Sequence, residues 1–433
     1  MASLEYIDYI PHRPIVDAVG QATWERDRAC QSIDGLPQIF WSDGSPWLEA
    51  NLYAHHRATN QMKHILTVKS NLGHLHKYAQ WLEEQGLDWR HFPTLERDRV
   101  LIRWRKRLIE LRDKYGLLAS STATERMSAT VNFYKFAKAH DLISRDVPMW
   151  RDKLVPHRFH DTNGFERTML LTSTDLAIPN RARHGLQLEG GLEPLTEDQM
   201  HQLLAFTGQK ENASRELYLM LLLGFFTGAR IQTITDLKRG TLDNAVPDPR
   251  VPGMFLLAVG PGHRPHVATK FNVQGRIMVP DWLLDELRAY VTDTARLKRE
   301  VRAAPGDKDL IFLTKSGNRY ADRNKVSGTA VDGAVLKMRK KATAAGMKFA
   351  EHFHFHMTRA TFGTWLTSLL LSMEGITEKA VLGFVRDVML HKNEADTLRY
   401  IRFVKETEMK IHVANEFSQA FLGLRTRLGD NHA

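Results

Sequence analysis

Between Asp152 and Gly191 the sequence keeps no hydrophobic period. Proline, asparagine, glycine and arginine recur there, and the run RARHG stands near the end. Such a stretch is longer than the loops inside a compact domain usually are, so the chain is expected to fold as separate lobes on either side of it. The length agrees: 433 residues exceed what one core usually organises, about 250–300 residues. The expected division is an arm over 1–58, a helical domain over 59–160, a linker over 161–190 and a second domain over 191–433.

Residues 1–58 carry Pro11, Pro14, Pro37 and Pro46 and an aromatic cluster at Phe40, Trp41, Trp47 and Tyr53. They read as an irregular arm that packs on something, either the next domain or an outside partner. From His64 the period turns helical, with Val68, Leu72, Leu75, Ala79 and Leu82 in one apolar stripe. Gly86 stands where a helix end wants a residue tolerant of positive φ. A second helix is predicted from about Leu95 to Tyr115, with the basic run Arg103, Arg105, Lys106 and Arg107. A third begins at Thr122, where Glu125 completes a capping box, and shows Arg126, Lys135 and Lys138 on its polar side. A solvated face explains any one of these cations. Only the cluster suggests a binding surface.

The second domain opens at PLTEDQMHQLLAF, where Thr196 and Gln199 form another capping box. An apolar helix, Leu217 to Phe226, leads into a Gly228 turn that presents Arg230. The period then shortens to extended runs: MFLLAV from Met254, HVATK from His266, RIMVP from Arg276 and LIFLT from Leu310. Further helices are predicted at Trp282–Val301, Arg323–Ala344, His356–Met373 and Glu378–Arg386. The expected class is mainly α with a small antiparallel sheet, an α+β domain. Beyond Tyr400, residues Val404, Ile411, Val413, Phe417, Ala420, Phe421 and Leu424 could make an apolar face that needs its own domain or a neighbour to cover it.

Net charge is +10 and the pI about 9.5, a balance that favours a polyanionic partner. Cys30 is the only cysteine, which excludes an internal disulfide and a cysteine-based zinc site and fits a reducing compartment. The start, MASLEYIDYIPHRP, is acidic and broken by prolines, unlike a signal peptide. The longest apolar run, Leu217–Phe226, is too short to cross a bilayer. The expected location is the cytoplasm, on nucleoid DNA in a bacterium, with no membrane partner.

The C-terminal third carries the chemistry. His356 and Arg359 are three apart, hence on one helical face. Behind them Phe362, Leu366, Leu369, Leu370 and Met373 recur at helical period. His391 and Tyr400 are nine apart, and at about 100° per residue a straight helix would set them on opposite sides. A shared site therefore requires a bend, placed around Asn393 to Asp396. With Arg230, these residues form a set of cations able to close on one phosphate with a phenol beside it.

In this order and spacing the residues resemble the tyrosine recombinase (phage integrase) family, over roughly Leu192–Leu424 with a weaker echo over His64–Leu142. The matches are Gly228-Ala229-Arg230, Lys270 on the expected hairpin, His356-Met357-Thr358-Arg359, His391 and Tyr400. The resemblance implies a helical core-binding (SAM-like) domain that clamps duplex DNA and a catalytic domain that cuts it. It implies Tyr400 as nucleophile, Arg230 and Arg359 on the phosphate, and His356 and His391 orienting it, with His356 as candidate base. Lys270 is the expected general acid, and Lys315, also beside a strand, competes for that role. The chain departs from the family pattern at Thr233, where Glu or Asp is usual, at Leu390, where Gly is usual, and at Ala360, where His or Arg is common. None of these removes a reacting group.

Guanidinium stays charged and can bridge two phosphate oxygens, which suits Arg230 and Arg359. A phosphotyrosine conserves the bond free energy, so rejoining needs neither ATP nor metal, and no cofactor is expected. His352, His354 and His356 alternate, yet no acidic or thiol ligand accompanies them at metal-site spacing. The expected partners are double-stranded DNA recombination sites and further copies of the chain, as a dimer or tetramer, with accessory DNA-bending proteins compatible. The expected role is integration or excision of a mobile element. A type IB-like topoisomerase and a non-catalytic architectural DNA-binding protein are the alternatives.

Overall fold

The structure, a computed structural model, describes residues 1–16, 19–160, 166–180, 188, 191–321 and 330–429. The chain divides into two compact units, Met1–Ala182 and Arg183–Ala433.

The first unit runs β1 (Ser3–Tyr9), β2 (His12–Val16), β3 (Ala22–Arg26), β4 (Ile33–Phe40), α1 (Leu48–Thr59), α2 (Ile65–Gln85), α3 (Val100–Asp113), α4 (Ser120–Ala139), β5 (Asp152–His160) and β6 (Glu166–Thr174). The apolar stripe of α2 is buried, as are Val100, Leu101, Trp104 and Leu108 of α3. Gly86 ends α2 in the left-handed region at φ 60°. Trp47 is the hub of an aromatic core, with ring centroids 5.0 Å from Trp41, 5.1 Å from Phe133 and 6.2 Å from Trp89. The phenols of Tyr78 and Tyr134 meet at 2.8 Å, and Tyr134 donates to the Trp89 carbonyl at 2.5 Å.

Several expectations for this unit are corrected. Residues 1–58 are not irregular: β1 pairs antiparallel with β4, and Leu36, Ile39, Trp47 and Tyr53 join the core. Asn51 replaces a missing strand partner, its amide oxygen accepting from Ile39 N–H at 2.7 Å and its amide nitrogen donating to Ile39 C=O at 3.1 Å. Glu83 of α2 ties the arm down by accepting from the backbone N–H groups of Ser42 and Ala2. The third helix starts at Ser120 after Ala119, without a side-chain cap; Glu125 instead lies 3.7 Å from His74. Asp152 onward forms a hairpin, β5 with β6. Among its described side chains, 152–156 and 168–172 are exposed on both faces, so no one-sided alternation marks them. The expected 161–190 linker is therefore corrected where it is described: Glu166–Thr174 is strand β6, and Leu176 and Ile178 join the core, while 161–165, 181–187 and 189–190 lie outside the described residues.

The second unit runs α5 (Glu197–Thr207), α6 (Arg215–Thr227), α7 (Ile231–Thr235), α8 (Arg239–Asp243), β7 (Val246–Pro247), β8 (Met254–Val259), β9 (Gly275–Pro280), α9 (Asp281–Val291), α10 (Thr294–Arg302), α11 (Ala330–Ala344), α12 (Met357–Leu371), α13 (Glu378–Val388) and α14 (Glu394–Gly429). Strands β7, β8 and β9 form one antiparallel sheet in that order. The capping box at Thr196 and Gln199 is present. Helix α6 is apolar nearly all round and correspondingly buried on all sides.

HVATK and LIFLT are not strands. Val267 makes a single bridge to Gly260, and Leu310 and Leu313 bridge singly to Lys238 and Arg319. Ile311, Phe312 and Leu313 are fully buried, and a short buried apolar run reads alike whether or not a strand partner exists. The Trp282–Val301 helix breaks in two because Asp293 caps Ala295 N–H at 2.7 Å. The start of the expected Arg323–Ala344 helix lies outside the described residues.

Candidate active site

Helices α6 and α12 set the site by close approach. A Cβ on Gly224 would strike Thr358, and one on Gly228 would strike the Phe362 ring. Gly228 also has φ 63°, the left-handed region open to glycine at little cost. It turns the chain from α6 into Ala229 and Arg230, and Arg230 stands as the first flank of α7.

Arg359, in the first turn of α12, is 2% exposed. Its Nη1 donates to Gly228 O at 2.5 Å and its Nη2 to Met389 O at 2.7 Å. Arg230 Nη1 donates to Leu390 O at 3.4 Å, while its Nε is buried with no hydrogen-bond partner among the described residues. The two guanidiniums thus bind the Gly228 turn to the segment that leads to His391. Where the family pattern has a carboxylate, Thr233 is buried beside the same pocket, and a backbone carbonyl braces Arg230 instead.

Leu390 accounts for the family's usual glycine: its φ is 51°, so the backbone is left-handed there. Its side chain lies over Gly275 of β9, where a Cβ would collide with it.

Lys270 follows β8 in the turn that leads to β9. Asp236, which sequence reasoning missed, braces this turn: it accepts from Ala268 N–H at 2.7 Å and pairs with Arg319 at 3.4 Å. Arg230, Arg359 and Lys270 line one pocket together with Gly228, Thr233, Thr269, Val273, Met389 and Leu390. None of its described lining residues is acidic. Two guanidiniums and an ammonium without a carboxylate suit a phosphodiester. Lys315 is exposed and is not among the lining residues.

Tyr400 is near the pocket but not in it. The phenol side chain is 0% exposed, within an apolar cluster that includes Ala360, Val381, Val385 and Met389. Its ring stacks on His391, with centroids 5.8 Å apart and planes at 29°. His391 is itself buried, and its Nδ1 lies 2.8 Å from Thr397 Oγ1. Helix α14 begins at Glu394, which supplies the bend expected between His391 and Tyr400. Ala360, where the family pattern has His or Arg, belongs to the same buried cluster as the phenol. His356 is half-buried at the start of α12.

Among the described residues no three His, Cys, Asp or Glu side chains are placed to hold a metal ion. Of the basic residues on the first unit's helices, Arg103, Lys106 and Arg107 share a concave face of α2 and α3 with Glu84, Asp98 and Glu110. Arg105 lies off that face, and Arg126 is half-buried, with burial pulling its guanidinium down. Lys135 and Lys138 are exposed on α4.

Fold and pocket together define a protein able to hold a phosphodiester close to a tyrosine. Residues 193–406 match the model of the phage integrase family, and this stretch of the chain is a phage integrase domain. No curated protein matches the sequence. The fold resembles the XerH site-specific recombinase in its post-cleavage complex with palindromic difH substrate, at 14% identity and TM-score 0.51, over 85% of this chain and 84% of that one. It also resembles the Tn1549 transposon integrase in complex with transposon right end DNA, at 16% identity and TM-score 0.50, over 84% of this chain and 98% of that one. In complex with circular intermediate DNA the same integrase is 18% identical with TM-score 0.50, over 83% and 98%.

Proposed function

We propose that this chain is a site-specific DNA recombinase that cuts and rejoins strands through a 3′-phosphotyrosine on Tyr400. The observation that carries the reading is the meeting of Arg230, Arg359 and Lys270 in one pocket with no acidic residue among its described lining, tied by hydrogen bonds to the segment that leads to Tyr400. In the reaction the Tyr400 oxygen attacks phosphorus and loses its proton, with His356 as the base. The bond to the 5′-oxygen breaks, and that oxygen takes a proton from Lys270. Arg230 and Arg359 stabilise the charge that builds on the non-bridging oxygens. Attack by a 5′-hydroxyl from another strand reverses the step and joins new partners.

A phenol that is fully buried cannot touch DNA, so cleavage requires Tyr400 to leave its seat against Gly363 and Met389. The two domains act on duplex DNA, with the basic residues Arg103, Arg105, Lys106, Arg107, Arg126, Lys135 and Lys138 as phosphate contacts. The working form is a dimer or tetramer on paired sites, and the biological role is movement of a mobile element.

The test is covalent trapping on DNA from the element that encodes the chain, with a nick beside the cleavage position so that the 5′ fragment escapes. Wild type should form an adduct that maps to Tyr400, and Tyr400→Phe should form none. An adduct elsewhere, or none under any condition, overturns the reading. Relaxation of any supercoiled plasmid without paired sites would replace recombinase by topoisomerase.

A further inference from the structure

Phe271 follows Lys270 in the turn between β8 and β9, and its side chain is 64% exposed. Its backbone is left-handed, at φ 63° and ψ 20°, and that of Asn272 after it is too, at φ 53°. Two successive non-glycine residues in this region carry a conformational cost that glycine would avoid. The turn is nevertheless held in shape. Thr269 Oγ1 donates to Val273 O at 2.6 Å, and Asn272 N–H donates to Thr269 O at 3.2 Å. A strained, braced turn that holds a phenylalanine out in solvent points to a contact made by the ring.

The surroundings identify the partner. Lys270 Nζ lies 5.2 Å from the ring centroid and Lys392 Nζ 5.6 Å from it. Thr269, Lys270 and Val273, on either side of Phe271, line the pocket that holds Arg230 and Arg359. An apolar protein surface would have to desolvate both ammonium groups to reach this ring. A nucleic acid offers phosphates to the cations and a flat apolar face to the ring at the same time.

Resting on the recombinase reading above, we propose that Phe271 is a DNA contact, stacking on a base or packing on a deoxyribose next to the phosphate held by Arg230 and Arg359. Lys392 takes a flanking phosphate. Phe271 is a positioning residue: its stack fixes the duplex along the pocket, so that the phosphate beside Lys270 is the one presented. Apolar side chains that wedge against base steps make the same kind of contact from a groove.

Stacking tolerates any base, so the contact can be measured on a fluorescein-labelled duplex of arbitrary sequence at low salt. Phe271→Ala should weaken binding roughly 5- to 100-fold, whereas Phe271→Trp should stay within about threefold of wild type. Phe271→Leu should remain weak, because it keeps apolar bulk without a flat face. Thermal melting should not move, since the ring is exposed. A benzophenone side chain at position 271 should crosslink to the duplex on irradiation. If wild type binds DNA while Phe271→Ala binds equally well, or if position 271 gives no crosslink, the assignment is wrong. If wild type neither binds the duplex nor forms an adduct at Tyr400, the recombinase reading itself falls and takes this contact with it.

Discussion

Gly363→Ala should release the Tyr400 phenol from its buried seat. A Cβ at Gly363 would lie 2.5 Å from Tyr400 Cε1 and 2.7 Å from both Sδ and Cε of Met389, distances that filled space does not allow. Overpacking by one methyl group typically costs about 1–3 kcal/mol; the flexible thioether end of Met389 can give way in either state, so the cost that separates the two states is the clash with the Tyr400 ring. Alanine is also the better helix former by about 1 kcal/mol, but α12 gains this whether the phenol is in or out, so it cancels from the ratio. The population with Tyr400 out should therefore rise roughly 5- to 150-fold. Nitration by tetranitromethane, read tyrosine by tyrosine by mass spectrometry, measures this without DNA. Tyr400 should react faster in the variant by that factor. Tyr78 and Tyr134, buried and hydrogen-bonded to each other in the other unit, should not change. Unchanged nitration at Tyr400, or equal acceleration at all three tyrosines, would refute the reasoning.

Other outcomes follow from the same contacts. Leu390→Ala should be less stable than Leu390→Gly, by about 1 kcal/mol, in a urea titration read in the second unit by amide exchange: both lose the packing over Gly275, but only alanine keeps the left-handed strain. Asp236→Ala removes a charged acceptor from Ala268 N–H, a bond worth about 1.5–3 kcal/mol, so exchange at the Ala268 amide should quicken about 10- to 100-fold. Burial alone would raise the Glu83 carboxyl, but hydrogen bonds from Ser42 and Ala2 outweigh it and hold the group below its ordinary range. Its stabilising effect is then complete above about pH 4.3, the unfolded value, and disappears as pH falls through the lowered folded one. Seven of the nine tryptophans lie in the first unit, so tryptophan fluorescence can follow its unfolding. Wild type should lose more stability on acidification than Glu83→Gln; parallel curves would contradict the assignment.

The second unit was the more legible half. Helical periods and caps located α5, α6, α12 and α13 because those helices bury one face, or all faces, against a common core. The spacing of His356, Arg359, His391 and Tyr400 was readable for a similar reason: the elements that carry these residues are local. What the sequence hid was non-local. Nothing in HVATK or LIFLT says that no neighbouring strand will pair with it. Asp236 reaches Ala268 only through the fold. Leu390 hides a left-handed position that glycine would have advertised. Lys392, next to His391 in the sequence, could have been singled out from that adjacency alone. The burial of Tyr400 depends on Gly363 leaving room, which no period reveals. In the first unit, Asn51 stands in for a strand edge, and a single amide side chain carries no pattern.

Arg359 is held by carbonyls from two stretches far from it in sequence, at Gly228 and Met389. Its charged group can be aimed only after the turn that ends one helix and the approach to the last helix have both come to rest against it. A copy caught part-way through folding, or opened locally at either place, lacks a fixed guanidinium. The aim of that one charge thus reports that two separate parts of the chain have closed on it.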